Sequence, residues 1–215
     1  MQRPYSPVHP RALLAVIATA ACAAATRPPG PGVVASHAAP VRADSVHHAY
    51  TTADTHFMSG MIYHHAQAIL MAGWAPTHDA SSSVRTLCER IVVAQRDEIA
   101  LMQRWLRDRQ EEAPDASPDM MSGMHQVMMP GMLTGEQLAQ LDDARGPEFD
   151  RLFLRFMIQH HQGAITMVNQ LFGSQGGGEE ETVFRFASDV YADQSTEIDR
   201  MQKMLVALIL QGRGD

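Results

Sequence analysis

Two stretches of the chain set adjacent histidines between methionines: FMSGMIYHHAQAILMA at residues 57–72, and FLRFMIQHHQGAITMV at residues 153–168. Each has Phe four residues ahead of Met, then Met-Ile-x-His-His, then Ala-Ile-x-Met or its close equivalent. Set about 100° apart around a helix, Phe57, Met58, Met61, His64, His65, Ala68 and Met71 fall within about 80° of Met61. The second copy puts Phe153, Met157, His160, His161, Ala164 and Met167 on the matching face. Imidazole nitrogen and thioether sulfur together suit a soft or borderline ion, and Cu(I) accepts both donors where Mg, Ca and Mn do not. Copper, as Cu(I), is therefore the expected ligand of Met61, His64, His65, Met71, Met157, His160, His161 and Met167.

The competing reading is that Met at helical spacing fills a core and a buried His is hydrogen-bonded. Recurrence weighs against it, because packing alone does not require two adjacent histidines in both copies. Four imidazoles are also expensive to bury unless paired or ligating. Since neighbours on a helix point about 100° apart, one His of each pair would bind a given ion while the other is hydrogen-bonded or serves a second site.

The repeat extends further. AQRDEIALMQRWL at 94–106 aligns with DQSTEIDRMQKML at 193–205, matching Gln95 with Gln194 and Glu98 with Glu197. The two glutamates either accept hydrogen bonds from the His rings, as an outer layer around a metal, or face solvent. Direct ligation in a di-iron centre would call for Glu-x-x-His, which this chain lacks. A third group lies in DMMSGMHQVMMPGML at 119–133, where Met124, His125 and Met128 form either a reversible Cu(I) site or part of an apolar flap.

These side chains need helices to position them. Helices are expected at about 53–73, 82–109, 147–172 and 179–210, with a short one after a capping box of Thr134 and Gln137. The unit is a helical hairpin used twice, and two hairpins with apolar stripes bury them most simply as an all-α, antiparallel four-helix bundle spanning about 51–212. Cys88, whose counterpart is Ala187, reads as a small buried hydrophobe.

Residues 1–25 read as a signal peptide, with Arg3 and Arg11 before the apolar run ALLAVIATAA. Cleavage falls either before Cys22, with lipidation as a membrane anchor, or just after it. Residues 26–50, rich in Pro, Gly, Ala and Ser, read as a flexible linker. The expected location is the periplasm or cell envelope. The formal charge of −7 and the lack of a basic patch exclude nucleic acid as a partner. Only one cysteine remains past the leader, so no internal disulfide is available.

With both His-His motifs and both Q-x-x-E-I-x-x-M helices, the chain resembles a bacterial family of exported proteins catalogued as a domain of unknown function and typified by the periplasmic copper-binding protein CopM. The resemblance covers about residues 50–210. It implies a ferritin-like four-helix bundle and copper binding through His and Met at the eight positions given above, and less strongly through the Met-rich connection. No nucleophile with an adjacent base, phosphate loop or acid pair stands out. The expected function is copper sequestration, delivery or resistance rather than turnover. The alternatives are a metal-independent helical scaffold with an unknown protein partner and a di-iron or copper oxidase.

Overall fold

The computed structural model describes residues 49–116 and 129–211. Five helices are described: α1 (Thr52–Gly73), α2 (Ser82–Asp108), α3 (Gly135–Asp143), α4 (Gly146–Phe172) and α5 (Glu181–Gln211). No strand occurs among the described residues, so the all-α expectation holds, and none of these helices is long and apolar enough to cross a membrane.

Side-chain caps start α1, α2, α3 and α5, whereas α4 opens after Arg145 without one and carries Pro147 in its first turn. Thr51 and Asp54 form a reciprocal capping box at α1, and Thr134 and Gln137 form another at α3. Ser81 accepts from the Val84 amide at α2. At α5 the Glu180 carboxylate accepts from the Val183 amide at 2.9 Å, satisfying one of the free N–H groups of the first turn. The same carboxylate group accepts from Trp105 and Arg109, pinning the far end of α2 to the start of α5.

The helices α1 and α2 pack as one hairpin and α4 and α5 as another, while α1 packs on α4. Gly60 lies against Met167 and the His64 ring against that of His160, so α1 and α4 run antiparallel. Two buried aspartates brace the hairpins reciprocally. Asp54 of α1 accepts from the Gly178 amide at 2.7 Å, in the connection that leads into α5. Asp150 of α4 accepts from the Ser81 amide at 3.1 Å, at the start of α2. The two aspartates hold equivalent places in the repeat, so each inner helix clamps the turn of the opposite hairpin.

The core divides into two apolar clusters. One gathers Ala68 and Met71 with Phe149, Phe153 and Met157; the other gathers Phe57, Met58 and Met61 with Ala164, Met167 and Leu171. Cys88 is buried in the first cluster, and burial followed by the nearby Asp150 charge pushes its thiol up to about 12. It is chemically inert there.

A short strap, residues 129–134, crosses this core. The Gln67 side chain donates to the Leu133 carbonyl at 3.1 Å and accepts from the Leu133 amide at 2.7 Å. Gln159 donates to the Gly131 carbonyl. Gly131 has φ +78° and its backbone presses on Gly163, where an added Cβ would sit 1.9 Å from the Pro130 carbonyl oxygen. Replacing Gly163 with Ala should therefore lower stability by about 1–3 kcal/mol or more, as overpacking does, read from urea midpoints. Gly73→Ala, with nothing within 4 Å of the added Cβ, should stay within about 0.5 kcal/mol. Equal midpoints for the two variants would show that the strap does not rest on α4.

Candidate metal centre

The duplicated histidines lie where α1 and α4 meet. Along α1 they separate Met61 and Ile62 of one apolar cluster from Ala68 and Met71 of the other, and along α4 they separate Met157 from Ala164. Four imidazoles thus form a polar layer between two apolar clusters, and all four are fully buried. The rings of His64 and His160 stand 3.8 Å apart between centroids at 38°, one from each hairpin.

Hydrogen bonding decides which nitrogens remain free. The His64 Nε2–H donates to the Pro130 carbonyl at 3.0 Å, so Nδ1 keeps its lone pair. The His161 Nε2–H donates to Glu197 Oε2 at 2.7 Å, which again leaves Nδ1 bare. His65 Nε2 stands 2.6 Å from Glu98 Oε2, yet the two are out of line for a hydrogen bond. Neither nitrogen of His160 has a partner. Buried nitrogens without a partner on all four rings are an unusual concentration of unmet polar groups.

Burial also fixes charge. It holds His64 down to about 3, aided by repulsion from His65 and opposed by the Pro130 carbonyl. Burial holds His160 well below the ordinary imidazole range, with His64 the next cause. Burial lowers His161 as well, though the hydrogen bond to Glu197 works the other way. At neutral pH these three rings are neutral, the protonation state a metal requires.

The predicted methionines are buried on both sides of the layer: Met61 and Met167 in one cluster, Met71 and Met157 in the other. They do not gather at one point. Glu98 and Glu197 reach the histidines from α2 and α5, with His161 and Glu197 hydrogen-bonded. Met124, His125 and Met128 lie outside the described residues. Among the described residues, no three His, Cys, Asp or Glu side chains converge into a ready-made metal cage. Pro130 and Gln67 were not legible as site residues. The Pro-Gly turn in MMPGML was the available signal for the first, and the Gln67/Gly163 mismatch between repeats for the second.

The low imidazole values make stability depend on pH in a definite direction. Below about 6.5 the unfolded chain binds protons that the folded His64, His160 and His161 refuse, so stability falls as pH falls, by up to about 1.4 kcal/mol per pH unit for each ring. For His64 the loss continues to about 3. Metal-free protein should melt markedly lower at pH 5 than at pH 7.5, and His160→Leu should flatten that dependence. A melting temperature indifferent to pH across that range would contradict the burial of the layer.

Comparison with known proteins places the chain. Residues 54–205 match the sequence profile of DUF305, a domain of unknown function. No curated protein matches. Among solved structures, the chain is similar to a DUF305 fragment from Deinococcus radiodurans, with 28% identity, a TM-score of 0.61, and coverage of 74% of this chain and 98% of that one. A DUF305 protein from Streptomyces coelicolor, described as secreted, gives 27% identity and a TM-score of 0.60 over 73% and 93% of the two chains. CopM in its Cu(II)-bound form gives 30% identity and a TM-score of 0.59 over 72% and 96%; its Cu(I)-bound and Ag-bound forms also match. The chain belongs to the DUF305 family.

Proposed function

We propose that this is an exported copper-binding protein that sequesters or hands on the ion, with α1, α2, α4 and α5 forming a ferritin-like four-helix bundle around it. The observation that carries the reading is the His64–His160 pair, its tilted rings 3.8 Å apart between centroids, inside a layer of four buried imidazoles each with at least one nitrogen that lacks a partner. A buried donor or acceptor left unmade costs about 1–3 kcal/mol, and a histidine serving only the core would have its hydrogen bond. Ligation removes that cost and uses the neutral rings as they stand.

The donor set favours copper as Cu(I). Met61, Met71, Met157 and Met167 flank the imidazole layer, and thioether sulfur selects for soft ions. CopM, a relative solved with Cu(I), Cu(II) and silver, supports the same choice. Glu98 and Glu197 serve as the outer layer that fixes ring tautomer and orientation, as carboxylates do behind metal-bound histidine. The Met-rich connection at 119–133, with Met124, His125 and Met128, leads into the strap that carries Pro130 onto His64, which suits it to passing an ion inward. Residues 1–25 direct export and 26–50 act as a linker; the description of the Streptomyces coelicolor relative as secreted agrees with an envelope location. Cys22 provides a lipid anchor if the leader is cut before it.

Metal analysis of protein from copper-supplemented cells, with Cu(I) competition against a chelator, is the test. His64→Ala with His65→Ala should abolish uptake as completely as His160→Ala with His161→Ala, because both hairpins contribute to one layer. Copper at background level in the unaltered protein would end this reading. Glu197→Gln should weaken affinity by about 10–100-fold, the usual cost of losing a carboxylate behind a ligating His; unchanged affinity would remove Glu197 from the centre.

A further inference from the structure

The two copies of the His-His motif part company at two places on the face that carries the histidines. Where the second copy has Leu152 and Phe156, both buried, the first has His56 and Gly60. His56 is exposed, and beside it a cavity of about 130 Å³ opens between the start of α1 and the C-terminal end of α4. We propose that this cavity is an outer site for a soft monovalent ion, held by His56 and the thioethers of Met129 and Met167, through which Cu(I) reaches the imidazole layer. The choice of ion rests on the copper reading above; the site is argued from the cavity.

The missing side chain of Gly60 is what brings the sulfur donors together. A Cβ at Gly60 would stand 3.4 Å from Met129 Sδ and 3.4 Å from the Met167 methyl carbon, so thioethers from the strap and from α4 meet over the bare backbone of α1. Both line the cavity together with His56. A glycine inside a helix costs about 0.5–1 kcal/mol relative to alanine, and a sequence selected for stability alone would have filled the place, as Phe156 fills its own. Residues 56, 60 and 64 are each one turn apart and share a face of α1. The line therefore runs from exposed His56 past Gly60 to buried His64. Pro130 lines the same cavity, and its carbonyl accepts from the His64 ring, so the cavity borders the layer.

The lining also selects the occupant. No carboxylate lines the cavity; beside His56 its polar side chains are Gln170 and Ser174, and Phe57 and Leu171 supply apolar wall. Such a lining offers little to a strongly hydrated divalent ion, whereas one imidazole and two thioethers suit Cu(I). Methionine is unbranched and flexible, so both sulfurs can turn toward an ion that His56 has received at the mouth. Exchange of nitrogen for sulfur donors then carries the ion inward without a charged ligand.

Ag(I), a soft monovalent ion free of redox chemistry, is the probe, read by NMR of the methionine methyls and histidine rings of the metal-free protein. It should shift the Met129 and Met167 methyls and the His56 ring in one step. His56→Gln, at an exposed position, should weaken that step without lowering the melting temperature. His56→Gln with Met129→Leu should remove it from Met167, while shifts at Met61, Met71 and Met157 persist. A Met129 methyl that does not move would overturn the site, as would a Met167 methyl that moves with Met61 equally in the unaltered and doubly altered proteins. The rings of His64, His65, His160 and His161 report the layer and the His56 ring reports the cavity, so failure of the copper layer and failure of the outer site are read apart.

Discussion

Burying four imidazoles in one layer is the constraint around which the molecule is arranged. A polar ring taken from water into a packed interior must find a partner or lose several kcal/mol of solvation, and here four such rings share the junction of α1 and α4. The two apolar clusters on either side supply the burial that makes the layer possible, while Ala68 and Ala164, fully buried next to it, keep the helices close. The strap answers one ring and Glu197 another; His160 receives nothing from the protein. A fold evolved only for stability would have placed leucine there, since replacing buried polar groups with apolar ones of like shape is near neutral or favourable.

Duplication explains the symmetry of the layer, and its breakdown explains the strap. Asp54 and Asp150 keep equivalent tasks in the two hairpins, and Glu98 and Glu197 each stand beside a histidine, with only Glu197 hydrogen-bonded to its own. Position 67 does not. Gln67 holds the strap by both atoms of its amide, whereas its counterpart Gly163 yields its side-chain space to the strap's backbone. Among the described residues, the strap has no counterpart held by Gly163 as Gln67 holds this one. That asymmetry sets His64, capped by Pro130, apart from His160, which is not.

The outer helices do a different job from the inner ones. Helices α2 and α5 bring carboxylates toward the histidines from a side that remains partly open to solvent, with Glu98 and Glu197 side chains 22% and 26% exposed. A carboxylate at that boundary can still accept from a buried ring, as Glu197 does from His161. The centre therefore holds the buried, uncharged rings of His64, His160 and His161, with acidic side chains along its α2/α5 flank. This is a gradient a cation would follow inward.

The helices themselves were legible in the sequence, because caps and apolar period are local properties: the expected bounds lie within about two residues of those observed for all four long helices. The inward face of His64, His65, His160 and His161 was legible for the same reason, as was the burial of Cys88. Whether Glu98 and Glu197 faced solvent or the histidines could not be read, since period alone places them on a helix flank and the neighbouring helix decides which side is covered. The close approach of the His64 and His160 rings, the split of the four methionines between two clusters, and the Pro130 carbonyl on His64 depend on how the two inner helices and the strap come together. That geometry is set by Gly131 of the strap against Gly163 of α4 and by the crossed Asp54 and Asp150 braces, contacts between residues 32 to 124 positions apart for which no local pattern carries a signal. Sequence by itself determined the helices and which residues would be buried; tertiary structure decided which buried nitrogens would go without partners, because that depends on the crossing of chains and not on the period of any one of them.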